Sequence, residues 1–223
     1  MSFLLPNAAM ARPTPAERGV DGAIHLLGVA TAILACVALA IAARPGIGIS
    51  GGVGIGLYSA GLLATFVCSA LYNTAPTGQW KARLRRWDHA AIFAMIAGTV
   101  SPLALLAIGG QLGWTFFAVI WSGALAGASL KLFAPGRFER AAIGAYLALG
   151  WLGFMMVAPL AEVLSARDSS LLLAGGLLYS VGVVAHLWTR LPFHNAIWHA
   201  LVLIAAGCHF PIVLGLAGLP PPA

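Results

Sequence analysis

Between Ala90 and Leu130 the chain carries no charge, and one stretch breaks the apolar run: Gly109-Gly110-Gln111-Leu112-Gly113. The reading of that stretch decides the fold. A bilayer core about 30 Å thick is crossed by roughly 20 helical residues, so residues 90–130 are too long for one crossing. The glycine-rich stretch reads as a turn between two crossings. Working outward, the other uncharged blocks are 22–43, 45–80, 141–161, 169–189 and 191–223. In the second block, the glycine-rich start and Thr74-Ala75-Pro76-Thr77-Gly78 trim the crossing to about 50–72.

Composition agrees with this reading. Of 223 residues, 61% are hydrophobic and 8% charged, and the mean hydropathy is +0.94. Soluble domains carry about 25% charged residues, and this chain has too few to cover a water-facing surface. The expected architecture is all-α: a seven-transmembrane helix bundle forming one integral membrane domain over 1–223. Its helices are expected at about 22–43, 50–72, 88–109, 112–131, 141–161, 169–188 and 195–219. Only helices or closed barrels satisfy backbone polar groups in lipid. The 27 glycines suit close helix packing there, and Gly123/Gly127 form one GxxxG pair.

The basic residues set an orientation. With a cytoplasmic N-terminus, Arg12, Arg18, Lys81, Arg83, Arg85, Arg86, Lys131, Arg137, Arg140 and Arg190 fall inside, and only Arg44 and Arg167 outside. The positive-inside rule then predicts a cytoplasmic N-terminus and a C-terminus outside. A nucleic-acid partner is not expected, because the charges are few and scattered over separate loops. Trp80-Lys81-Ala82-Arg83-Leu84-Arg85-Arg86-Trp87 reads as an interfacial anchor against lipid headgroups. A cleaved signal peptide is not expected. Cys36, Cys68 and Cys208 read as packing residues within spans.

Polar residues gather at one depth. Asp21 and His25 lie one turn apart early in the first helix. Ser69 and Asn73 end the second, Asp88 and His89 open the third, His186 ends the sixth, and Asn195 and His199 open the seventh. All fall toward the cytoplasmic side, whereas His209 lies about 15 Å beyond His199 at 1.5 Å per residue. Intramembrane polar groups turn inward and often mark function. Asp88 also reads as an N-cap of the third helix, His25 as an interhelical contact, and His209 as a packing residue beside Pro211. Pro102 is expected to kink the third helix, with Thr99 or Ser101 compensating the freed carbonyls.

Several ordered motifs carry a resemblance. They are Ser69-Ala70-Leu71-Tyr72-Asn73, Arg85-Arg86-Trp87-Asp88-His89-Ala90-Ala91-Ile92-Phe93, Ile96-Ala97-Gly98-Thr99-Val100-Ser101-Pro102, Asn195-Ala196-Ile197-Trp198-His199 and Cys208-His209-Phe210. From about Glu17 to the last helix the chain resembles the hemolysin III family, the bacterial branch of the superfamily containing adiponectin and progestin receptors. The resemblance implies a serine at Ser69, an aspartate at Asp88, and three zinc-binding histidines in the receptors. His199 matches one of those histidine positions. Asn73 and Asn195 stand at the other two, and amides are poor zinc ligands beside imidazole.

Two chemistries follow. In the first, His25, Ser69, Asn73, Asp88, Asn195 and His199 form a hydrogen-bonded network that ties helices together and responds to lipid or protons. In the second, His199 with Asp88, His25 or His186 holds a metal such as zinc. The protein is then a hydrolase of a lipid amide or ester, with Asp88 acting on water and Ser69 bonding the oxyanion. A lytic or pore-forming role is implied by the family's name. Against a pore, no row of ionisable residues crosses both leaflets. Membrane lipids are the expected partners.

Overall fold

The computed structural model describes residues 13–134 and 139–218, so Arg12 and Arg137 of the charge argument lie outside the described residues. It is all helix over the described residues. α1 spans Pro15–Ala42 and α2 spans Gly48–Thr74. α3 spans Gln79–Pro102 and runs on through a π-helical turn, Leu103–Ile108; α4 spans Gly110–Phe133. α5 (Glu139–Leu152), a 3-10 turn (Gly153–Met156) and α6 (Val157–Ala161) follow, then α7 (Ala166–Leu187) and α8 (His194–Gly218). Among the described residues, six helices are long and apolar enough to cross a membrane. The fifth expected span, 141–161, is instead interrupted. Pro159 explains the break: it lacks an amide, and its ring opposes the carbonyl four residues earlier, within the 3-10 turn.

Two helices begin earlier than their apolar blocks. α1 starts at Pro15, not near 22, because Thr14 and Glu17 close a capping box and proline occupies the first turn. α3 starts at Gln79, not at 88, so the basic Trp80–Trp87 stretch is itself helical. Asp88 is therefore well inside α3 rather than at its N-cap, which is Gly78. Lys81 Nζ donates to the Ala75 carbonyl at 3.1 Å and sits 5.1 Å from the Tyr72 ring centre. That contact serves the frayed carbonyls at the end of α2.

The core is built on α2 and α3. A Cβ at Gly61 would lie 2.6 Å from the Ala94 carbonyl oxygen, and one at Gly98 would lie 2.7 Å from that of Leu57. Only glycine permits that approach. The Gly123/Gly127 pair does not make one seam: Gly123 faces Leu149 of α5 and Gly127 faces the Phe93 ring of α3. At the Pro102 break, Ser101 Oγ donates to the Ala97 carbonyl at 2.8 Å and accepts from Trp121 Nε1 at 2.9 Å.

Both ends of the bundle tie α1 to α8. At one end the Phe193 amide donates to Glu17 Oε1 at 3.0 Å, with Phe193 held at a left-handed φ of 58°. At the other, the Arg44 amide and guanidinium reach the carbonyls of Ala217 and Gly218. The first end carries Arg18, Lys81, Arg83, Arg85, Arg86 and Arg190, and is called the basic end below. Glu17 thus sets the register between the early turns of α1 and of α8, where the polar residues lie.

Candidate functional site

Asp21, His25 and His199 meet at the basic end. Asp21 and His25 share a face of α1, being four residues apart. His199 lies one turn and a half into α8, which the Glu17–Phe193 bond holds against α1. His199 Nδ1 is 2.6 Å from Asp21 Oδ1, and His25 Nε2 is 3.5 Å from Asp21 Oδ2. The two imidazole centres are 4.3 Å apart. One ligand atom from each of the three residues falls within 4.8 Å of the others.

The donor chemistry fits zinc. Two imidazoles and a carboxylate are ligand types that zinc accepts, and three protein ligands are the usual catalytic complement. His25 adds to the fit: it is 4% exposed, and its buried Nε2 has only the long 3.5 Å approach to Asp21 and no well-formed hydrogen bond. A buried imidazole nitrogen so weakly satisfied is costly. The Asp21–His199 contact is also a sound hydrogen bond in its own right, joining α1 to α8.

A cavity of about 480 Å³ opens from this cluster into the bundle. Its wall includes His25 and His199 together with Ser69 and Asp88. Beyond them the wall is apolar, with Phe66, Met95, Val100, Leu103, Met156 and Leu160 among its residues. On the α5–α7 side the wall reaches the outer surface, since Trp151 is 39% exposed and Leu173 48%. The Trp151 indole donates to Ser180 Oγ there at 3.1 Å.

Of the residues expected from sequence, His25, Ser69, Asp88 and His199 line this one cavity. Asn73 does not; its amide turns back along α2 to the Ser69 carbonyl at 2.9 Å and Ser69 Oγ at 3.4 Å. Asn195 is half-buried and outside the lining. His186 lies against Trp198, with ring centres 5.5 Å apart and planes tilted by 44°, and is not among the three residues whose ligand atoms converge. Asp21 was absent from the expected site. Its signal was the Asp21-x-x-x-His25 spacing, but the partner that completes it lies 178 residues away in sequence.

An apolar bundle with several helices long enough to cross a bilayer defines a multi-pass membrane protein. The chain belongs to the hemolysin III family: a profile described as "Haemolysin-III related" matches residues 17–210. It is 37% identical over 198 residues to Hemolysin-3 of Bacillus cereus, covering 89% of this chain and 90% of that protein. It is 36% identical to a Hemolysin-3 homolog of Bacillus subtilis, covering 89% and 93%. A more distant similarity, 27% over 163 residues, links it to the human monocyte to macrophage differentiation factor, covering 69% of this chain and 66% of that protein.

Proposed function

We propose that the protein is a metal-assisted intramembrane hydrolase acting on an amide or ester bond of a lipid. The observation that carries this reading is the convergence of Asp21, His25 and His199 within 4.8 Å, where His25 and His199 line the same cavity as Ser69 and Asp88. These three side chains would hold the metal. A bound zinc ion would supply Lewis acidity toward a carbonyl and toward water. Asp88 would take a proton from the attacking water, and the Ser69 hydroxyl would turn its one proton to the carbonyl oxygen as that oxygen gains charge. The apolar wall receives the acyl chain and keeps bulk water out, which strengthens both interactions. Entry between α5 and α7 suits a substrate arriving from within the bilayer.

The reading also places the basic end toward the cytoplasm of a bacterial inner membrane, with the C-terminus outside. Ten basic residues against two support that placement. A reporter fused after Ala223 is expected to be active only on the outer side; activity inside would reverse the orientation.

A second reading has its own support. The direct Asp21–His199 bond joins the first and last helices, and a carboxylate between two imidazoles also suits a structural or proton-responsive network. Metal analysis separates the two. Protein purified in detergent without chelators is expected to carry about one equivalent of metal, and His199→Ala to carry almost none. A wild-type protein without metal after zinc is supplied leaves the network reading standing and removes the hydrolase.

A further inference from the structure

We infer that the deep end of the cavity is a second subsite, which hydrogen-bonds a neutral oxygen carried partway along the chain of the bound lipid. The inference rests on reading the cavity as a lipid-chain site and names the class of lipid that site selects. The deep wall includes Thr99 of α3, Tyr179 of α7 and His209 of α8. Thr99 and His209 are only 8% and 6% exposed, yet Thr99 Oγ1, Tyr179 Oη and His209 Nδ1 are buried without any hydrogen-bond partner. The Tyr58 hydroxyl, in a fully buried side chain within electrostatic reach of Tyr179, is a fourth orphan.

The pattern of donors and acceptors is legible. His209 Nε2 lies 3.3 Å from the Leu172 carbonyl, which can only accept. Nε2 therefore carries the proton, and Nδ1 of the neutral ring presents a lone pair. The Tyr179 ring lies 5.8 Å from that of His209, and its hydroxyl and the Thr99 hydroxyl in the same wall can donate or accept. A hydroxyl on the ligand satisfies both kinds of partner at once. A charged group finds no counter-charge: Asp88, at the far end, is the only carboxylate lining the cavity among the described residues, and no lysine or arginine lines it. An orphaned polar group is costly if left dry, so a polar occupant is favoured at this end. Ordered water is the competing occupant. His209 is ten residues along α8 from His199, about 15 Å at the helical rise, and that separation sets where the ligand's second oxygen falls.

Non-hydrolysable alcohols test this apart from catalysis. The probes are octadecanol, its analogue with a second hydroxyl on the twelfth carbon, which reaches a comparable depth in an extended chain, and the isomer with that hydroxyl on the second carbon. Each is competed against octadecanol on the detergent-solubilised full chain, and the bound ratio is read by native mass spectrometry. The twelfth-carbon diol is expected to be favoured about tenfold, as one well-made buried hydrogen bond implies, and the second-carbon diol to be bound like octadecanol. Tyr179→Phe and, independently, Thr99→Val are each expected to move the tenfold ratio toward one. A wild-type ratio near one overturns the subsite and leaves water as its occupant, as does equal preference for both diols or a ratio unchanged in both variants. Metal content, measured on the same preparation, reports on the hydrolase reading alone. Metal-free protein that still prefers the twelfth-carbon diol sinks that reading and spares this one.

Discussion

α8 carries two histidines in opposite circumstances. His199 faces a carboxylate at 2.6 Å and a second imidazole at 4.3 Å between ring centres. His209, about 15 Å deeper, has one carbonyl partner and an unpartnered nitrogen among neutral hydroxyls. The first environment concentrates charge and ligand atoms where helix ends can be reached from the headgroup region. The second keeps polar groups neutral where the surroundings are driest, because an unpaired charge there is far more costly than an unpaired hydroxyl. One cavity joins the two ends, and its proposed selectivity divides into metal chemistry at one end and hydrogen-bond geometry at the other.

The sharpest way to break this contrast is at Asp21. Asp21→Asn keeps the shape and a hydrogen-bonding side chain but removes the charge that sets the His199 end apart. Zinc affinity, measured by competition with a chromophoric chelator, is expected to fall at least about 100-fold, since even outer-shell changes cost 10–100-fold. Wild-type affinity in Asp21→Asn places any metal elsewhere and makes the two ends less different than proposed.

The deep end is sharpened through Gly175. A Cβ added there collides with the His209 imidazole, so Gly175→Ala must displace the ring and its bond to Leu172. Overpacking of that kind costs about 1–3 kcal/mol, read as a lowered melting midpoint in detergent. Pairing it with His209→Ala, which removes the obstacle, is expected to give less than the sum of the two losses. Simple additivity contradicts the packing described here.

The register that keeps His199 against α1 is expected to yield a smaller loss. Glu17→Ala removes the capping box with Thr14 and the carboxylate bound by the Phe193 amide. Both interactions are exposed and screened by solvent, so only a small drop in the melting midpoint is expected. Glu17→Gln, which retains an acceptor, should recover part of it. If Glu17→Ala melts like wild type, the α1–α8 register is held by packing alone.

How far the sequence discloses all this depends on whether the deciding interaction is local. Uncharged blocks mark the apolar spans because burial in lipid acts on each residue independently. The start of α3 is hidden because Trp80–Trp87 is charged and looks like a loop, although its basic and aromatic residues anchor a helix whose Lys81 serves the end of α2. The interruption of the fifth span has a local cause in Pro159, while its expected continuity rested on hydrophobicity alone. His25, Ser69, Asp88 and His199 share a depth that counting residues can find. That Asp21 joins them, and that Asn73 turns away, is set by the rotation of α1, α2 and α8 about their own axes. Only packing fixes those rotations.

Asn73 gives the smallest expected effect and the most direct check on that distinction. Its motif position, one turn after Ser69, implies membership of the polar network. Its amide is bonded within α2, to the carbonyl and hydroxyl of Ser69, and no helix depends on it for attachment. Interhelical hydrogen bonds in membrane proteins average about 0.6 kcal/mol, and a bond within one helix, whose carbonyl already serves the backbone ladder, should be worth less. Asn73→Leu is therefore expected to lower stability by under about 0.5 kcal/mol, with insertion and zinc affinity near wild type. A loss of several times that size means Asn73 reaches across to α1 or α8 in the membrane. The boundary between the charged end of the cavity and its surroundings would then have to be redrawn to include it.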